Sequence, residues 1–149
     1  MPYQLTAPLV KTYKLLRSDP SGDTTVTFRQ ATRGDQDRRQ DLTAEATRIW
    51  NDAEQGEIQL KQRISMAEIH RMEVNLTMVE CNILNEAVDG EDPKPLFRFK
   101  TNSKGRSYLD MSESAFAMAW AKLPDDIADE IHEKAVEHNP QWGKADKSE

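Results

Sequence analysis

The apolar residues of this chain change their spacing near residue 30, and that change limits the folds open to it. Val26 and Phe28 alternate with polar neighbours, which is the period of a half-buried strand. Residues 9–16 are rich in apolar and β-branched types, and the run 18–23 between the two segments is dense in turn-forming residues. We therefore predict an N-terminal β-hairpin over about residues 9–29.

Beyond the hairpin, apolar residues recur at steps of three and four, which is typical of helices that bury one face. This spacing predicts a first helix over about residues 34–54, followed by a stop at Gly56. The next segment, 57–64, has apolar residues at even spacing and fits either a third strand or the start of a helix.

A central helix is predicted over about residues 65–84. Ser65 and Glu68 have the spacing of a capping box, in which each side chain bonds a free backbone amide at the helix start. Apolar residues behind the box fall on more than one face, so we expect this helix to be buried by several neighbours. The following residues, 85–105, contain glycines, prolines and charges and predict a long connection.

Two further helices are predicted in the last third of the chain, over about residues 111–123 and 124–138. Pro140 ends the second, because the residue before a proline is forced out of the helical region. We expect a single domain over residues 1–142 and a flexible tail over 143–149. The predicted fold class is α+β, a predominantly helical domain with an N-terminal β-hairpin.

The charge of the chain disfavours a nucleic-acid partner. Its formal net charge is −6, and the arginines between residues 29 and 39 are interleaved with aspartates. The lone cysteine, Cys81, excludes an internal disulfide. The first residues lack a basic segment followed by a long apolar run, and no stretch approaches the roughly 20 apolar residues of a membrane span. We expect a cytoplasmic protein that binds neither nucleic acid nor membrane.

No residue pattern in the sequence predicts catalysis. His132 and His138 are six apart and so do not share a helix face, which favours solvated positions over metal ligands. His70 is interpreted as a half-buried, hydrogen-bonded histidine. The acidic residues 125–130 fit a helix start, where the helix dipole favours negative charge. We therefore predict no catalytic residue, no cofactor and no metal, and hence no enzymatic activity.

The remaining candidates are protein-binding residues, because tryptophan and other large apolar side chains anchor interfaces. Trp142 follows the last predicted helix and is the favoured docking residue, whereas Trp50 and Trp120 are interpreted as core. Phe116, Trp120 and Ile131 form apolar stripes that we expect to pack on the central helix. These stripes become a candidate partner surface if they prove to be exposed.

Three segments stand out in the last third of the chain: AWAKLP (119–124), IADEI (127–131) and NPQW (139–142). Together they resemble the C-terminal pattern of tail assembly chaperones of long-tailed phages and prophages. The hairpin and the arginine-rich start of the first predicted helix are similar in general layout.

The resemblance implies a non-enzymatic protein of the host cytoplasm that is needed for tail building and is absent from the finished virion. Its implied partners are the tape measure protein, which it keeps soluble, and the tail tube protein, whose polymerisation it helps. A further candidate partner is a second copy of the same chain, in a homo-oligomer. Such chaperones are often made in two lengths by ribosomal frameshifting, which predicts a slippery codon pair at Gly143 and Lys144.

Two other classes fit the same composition. A phage-encoded inhibitor or trigger of bacterial defence would also be acidic, small and free of catalytic motifs, and so would a connector subunit of the virion. Neighbouring genes distinguish them, since a tape measure gene immediately downstream favours the chaperone.

Overall fold

Two short sheets and five helices make up the chain in a computed structural model, which describes the backbone of residues 1–52 and 55–147 and the side chains of residues 1–44 and 66–143. In chain order the elements are β1 (Val10–Lys14), β2 (Thr25–Arg29), α1 (Arg33–Asp52), α2 (Gln55–Thr77), β3 (Met78–Cys81), β4 (Phe99–Thr101), β5 (Ser107–Leu109), α3 (Glu113–Trp120), α4 (Asp125–His138) and α5 (Pro140–Lys147).

The larger sheet is antiparallel and has the strand order β1-β2-β3. Val10 lies opposite Arg29 and Lys14 lies opposite Thr25, so the turn signals between the strands close a hairpin. Gly22 in this turn has a φ of +79°, a conformation that glycine adopts without steric cost. The second sheet is the hairpin of β4 and β5.

One hydrophobic core joins the sheet to the helices. Tyr13, Val26 and Phe28 project from the hairpin into it, and Ile131 and Ala135 meet them from α4. Further core residues come from the first turn, α2, β3, the connection before β4 and α3: Leu15, Val74, Met78, Leu96, Phe97, Phe116 and Ala119. The α+β class and the N-terminal hairpin predicted from the sequence are confirmed.

The predicted central helix is wrong at both ends. Helix α2 begins at Gln55, so Ser65 lies inside it rather than at its start, and the open segment 57–64 is helical. The helix ends at Thr77, after which β3 pairs with β2. The apolar residues of β3 continue the helical spacing by coincidence, and only the long-range pairing with β2 selects the strand.

The predicted connection contains more structure than its glycines and prolines indicated. Leu96 and Phe97 are buried in the core, and Gly105, with a φ of +77°, closes the turn between β4 and β5. Helices α3 and α4 lie inside the predicted ranges, with Ser112 accepting a hydrogen bond from the amide of Ala115 as the N-cap of α3. No helix of the described segments is long and apolar enough to cross a bilayer.

The loose tail predicted from residue 143 is replaced by α5, which runs from Pro140 to Lys147. Pro140 stops α4 as expected, but it also suits the first position of a helix, where its missing N–H is not needed. Asn139 between the two helices is buried, and its side-chain oxygen accepts the amide of Ala31 at 2.9 Å. The predicted core position of Trp50 lies outside the described side chains.

Candidate functional site

The side chains predicted to bind a partner lie inside the protein. Phe116, Ile131 and Trp142 are at most 1% exposed. Trp120 is half-buried, and its ring stacks on that of Phe116 with 6.0 Å between centroids. In this conformation Phe116, Ile131 and Trp142 are core residues, and Trp120 packs against the core at its edge.

Trp142 in particular is not exposed. Helix α5 folds back onto α1, where the indole N–H donates to Oε1 of Gln36 at 2.7 Å. The guanidinium of Arg39 lies 5.8 Å from the centre of the same ring, within cation–π distance. The sequence pattern left Trp142 beyond the last predicted helix. Its burial could not be predicted, because the contact of α5 with α1 joins residues far apart in the chain.

Large apolar side chains are instead exposed at the N-terminus. Tyr3, Leu5, Leu9 and Val10 are between 61% and 88% exposed along the segment that leads into and begins β1. In the described sheet β1 is an edge strand, paired with β2 alone. This set of four residues, which we call the N-terminal apolar segment, is continuous with an open strand edge.

A groove of about 490 Å³ lies beside the N-terminal apolar segment. Val10 and Thr12 line it from the face of β1 opposite the buried ring of Tyr13. The turn of the β4–β5 hairpin forms the other wall, and Ser107 donates a hydrogen bond to Glu80 of β3 at 3.0 Å. Exposed apolar surface and a groove therefore occur together on the outer side of the sheet.

A second feature is a buried polar cluster centred on Glu73 of α2. The Glu73 side chain has no exposed surface, and its Oε2 accepts a hydrogen bond from Nε of Arg39 at 2.7 Å. Its Oε1 accepts one from Nε2 of His132 on α4, also at 2.7 Å. A buried carboxylate needs such partners, because transfer of an isolated charge from water costs several kcal/mol.

His70 completes this cluster. It lies one turn before Glu73 on α2, and its ring stacks on that of His132 with 3.8 Å between centroids and 19° between planes. Potential ligand atoms of His70, Glu73 and His132 all lie within 4.8 Å of one another. We call these three residues the His–Glu–His cluster.

The solvated position predicted for His132 is wrong, whereas the half-buried position predicted for His70 is correct. In the sequence, the nearest histidine to His132 is His138 on the same helix, but the partners of His132 in the fold are Glu73 and His70 on α2. Both ring nitrogens of His138 are also hydrogen-bonded. Its Nδ1 accepts a hydrogen bond from the hydroxyl of Tyr13 at 3.0 Å, and its Nε2 donates one to the carbonyl of Leu9. The spacing of His70 and Glu73, three residues apart on one helix face, was the signal available in the sequence.

Glu130 on α4 is a second buried carboxylate, not the solvated helix-start residue that the sequence indicated. Its two oxygens accept the backbone amides of Arg17 and Ser18, at 3.1 and 2.8 Å. Burial raises the pKa of Glu130, but the hydrogen bonds from Ser18 and Arg17 and the nearby charge of Arg17 outweigh it, so the pKa is lowered. This residue ties the turn of the first hairpin to α4 and has a structural role.

Comparison of the chain with protein-family models, with curated proteins and with solved structures finds no match.

Proposed function

We propose that the protein is a non-enzymatic tail assembly chaperone of a long-tailed phage. It acts in the host cytoplasm, where it binds the tape measure protein and helps the tail tube protein to assemble around it. The C-terminal resemblance supports this proposal. Its matching segments lie in α3, α4, α5 and the turns that join them.

The observation that carries the proposal is the N-terminal apolar segment. Monomeric proteins rarely leave large apolar side chains exposed in one continuous patch, and such patches mark interaction sites. Tyr3, Leu5 and Leu9 each expose more than 70% of their surface on a stretch of seven residues. A long helical polypeptide with apolar faces is a partner that such a segment can cover.

Binding would keep the partner soluble through the hydrophobic effect. Burial of each large apolar side chain contributes about 1.5 to 3 kcal/mol, from which the cost of ordering the N-terminal apolar segment must be subtracted. Several weak contacts of this kind bind a long polypeptide reversibly, which suits a protein that leaves before the tail is complete. The acidic surface, at a net charge of −6, keeps the complex in solution.

Co-expression with a tape measure protein from the genome that encodes this chain tests the proposal. The wild-type chain should keep the tape measure protein in the supernatant after centrifugation and should co-elute with it in size-exclusion chromatography. The double variant Leu5→Asp with Leu9→Asp should lose both effects, because its charges oppose burial against an apolar partner. Light scattering of the eluted peak gives the number of copies of each chain.

Met118→Asp is the matched control. Met118 is 69% exposed on α3 and so carries an apolar side chain of similar exposure outside the N-terminal apolar segment. This variant should behave like the wild type, and circular dichroism should show that all variants are folded. A tape measure protein that is equally soluble with and without the chain contradicts the proposed function. If the Leu5 and Leu9 double variant kept the tape measure protein as soluble as the wild type does, the assigned surface would be contradicted and the proposed function would stand.

A further inference from the structure

We propose that the His–Glu–His cluster binds one divalent transition-metal ion, with Zn²⁺ as the ion that best fits its donors. The proposal is independent of tail assembly. It rests on two imidazoles and one carboxylate, whose ligand atoms lie within 4.8 Å of one another between α2 and α4.

The donor set matches the preference of zinc. Two histidines and one glutamate are a known zinc ligand set that leaves a fourth position for water. Zinc–ligand bonds are about 2.1 Å long, so ligand atoms around one ion stand about 3 to 4 Å apart. The ligand atoms of the cluster lie close to this separation, and they come into bonding distance once the two rings rotate out of their stack. Calcium and magnesium prefer all-oxygen sites and fit these donors poorly.

The fold holds the donors without help from an ion. His70 and Glu73 are three residues apart and share one face of α2, and α4 packs against that face and presents His132. Oε2 of Glu73 is bonded to Arg39, which leaves Oε1, the oxygen bonded to His132, as the ligand atom for an ion. A hydrogen bond to the second oxygen of a ligating carboxylate is the outer arrangement typical of metal sites, so Arg39 acts as a positioning residue.

Binding changes two features of the cluster. Nε2 of His132 now donates its hydrogen to Glu73, so the ion must replace this hydrogen, and the neutral ring then carries its proton on Nδ1. The rings of His70 and His132 are stacked almost parallel at 3.8 Å. A metal ion lies in the plane of each imidazole that it binds, so the stack opens when both rings are ligands. Partial exposure of both histidines gives the ion a path from solvent.

Titration of the chain without an affinity tag, after dialysis against a chelator, tests the proposal. Calorimetry with Zn²⁺ should give one ion per chain, and Co²⁺ should give the intense visible absorption of a four-coordinate site. Thermal stability should rise with Zn²⁺ concentration, since the ion binds the folded state and the unfolded chain lacks the assembled site.

His70→Gln is the main variant, because His70 is half-buried and its loss leaves the Arg39–Glu73–His132 bonds in place. We expect at least about tenfold weaker binding and the loss of the stability gain. His132→Gln should have the same effect on affinity. His138→Gln is the matched control, since the chain has three histidines and this one contacts Tyr13 outside the cluster.

Wild-type affinity in His70→Gln would overturn the proposal, because another set of residues would then hold the ion. Absence of binding by Zn²⁺ and Co²⁺ to the folded wild-type chain would overturn it too, and would leave the cluster as a hydrogen-bonded support for Glu73.

Discussion

Trp142 donates its indole N–H to Oε1 of Gln36 at 2.7 Å, across 106 positions of the chain. This bond closes α5 onto α1, and the ring it fixes lies over the guanidinium of Arg39. Arg39 in turn binds Glu73. Helix α5 is thus connected through the side chains of Trp142 and Arg39 to Glu73 of the His–Glu–His cluster.

Trp142→Ala should destabilise the fold by about 3 to 5 kcal/mol, the usual cost of removing a large buried aromatic side chain. Trp142→Phe keeps most of the packing and loses the hydrogen bond, so about 1 kcal/mol is expected. Urea denaturation followed by circular dichroism measures both values. Met118→Ala, on an exposed side chain, should stay within about 0.5 kcal/mol of the wild type. An unaffected Trp142→Ala would return Trp142 to the candidate docking residues.

Glu130 should make the stability depend on pH. Its pKa is lower in the folded protein than in the unfolded chain, so the unfolded chain binds a proton more readily. The stability that Glu130 contributes is therefore complete above the unfolded-state pKa of about 4.3 and is lost as the pH falls through the lower folded-state pKa. Glu130→Gln should cost about 2 kcal/mol at pH 7, and this difference from the wild type should shrink at pH 3.

Glu133→Gln is the control for this pH dependence. Glu133 pairs with the side chain of Arg17 at 2.8 Å, but both side chains are more than half exposed, so solvent screens the pair and it should contribute little to stability. Denaturation curves of the two variants at several pH values separate the buried carboxylate from the exposed one. A Glu130→Gln deficit of constant size across the acidic range would assign its effect to shape and not to charge.

Local signals in the sequence were sufficient for the first hairpin and for α4. The alternation around Val26 and Phe28 and the turn residues between the strands act over a few neighbours, and so does the stop at Pro140. Strand β3 could not be predicted in this way, because Met78 and Val79 fit a helix face as well as a strand. Their pairing with β2, about 50 positions earlier, decides between the two.

The His–Glu–His cluster lay beyond sequence reasoning for a related reason. His70 and Glu73 share a helix face, which the spacing shows, but nothing in the sequence places His132 opposite them. The same holds for Glu130, whose partners are the backbone amides of Arg17 and Ser18, because backbone amides have no residue signature. The exposed N-terminal apolar segment likewise became visible only when the core was known.

The thiol of Cys81 should react slowly in the folded protein. Burial raises its pKa to about 11, although a hydrogen bond from the backbone of Ile83 partly offsets this effect. Only the thiolate attacks a disulfide reagent, so at pH 8 the folded chain should react at least about tenfold more slowly than the chain in urea. Absorbance of the released aromatic thiol gives both rates, with Cys81→Ser as the blank. Equal rates would show that the thiol is accessible.

Gly143 should be required by the close approach of α5 to α4. A Cβ atom at this position would lie 2.6 Å from Cγ1 of Val136, which is too short for two carbon atoms. Alanine favours a helix over glycine by about 1 kcal/mol, but such a clash costs about 1 to 3 kcal/mol. We therefore expect Gly143→Ala to lower the free energy of unfolding in urea. Gly34→Ala is the matched control, because its Cβ would meet Thr32 at an ordinary 3.7 Å, so no loss is expected.

A double-mutant cycle identifies the clash. Val136→Ala removes the methyl group that Gly143→Ala would strike, so the double variant should be more stable than the sum of the two single changes implies, by about 1 kcal/mol or more. Both residues lie at the junction of α4 and α5, and the coupling therefore measures how tightly the last helix is packed. Additivity within about 0.5 kcal/mol would mean that α5 moves away at little cost, and that the burial of Trp142 depends on its ring and its bond to Gln36 alone.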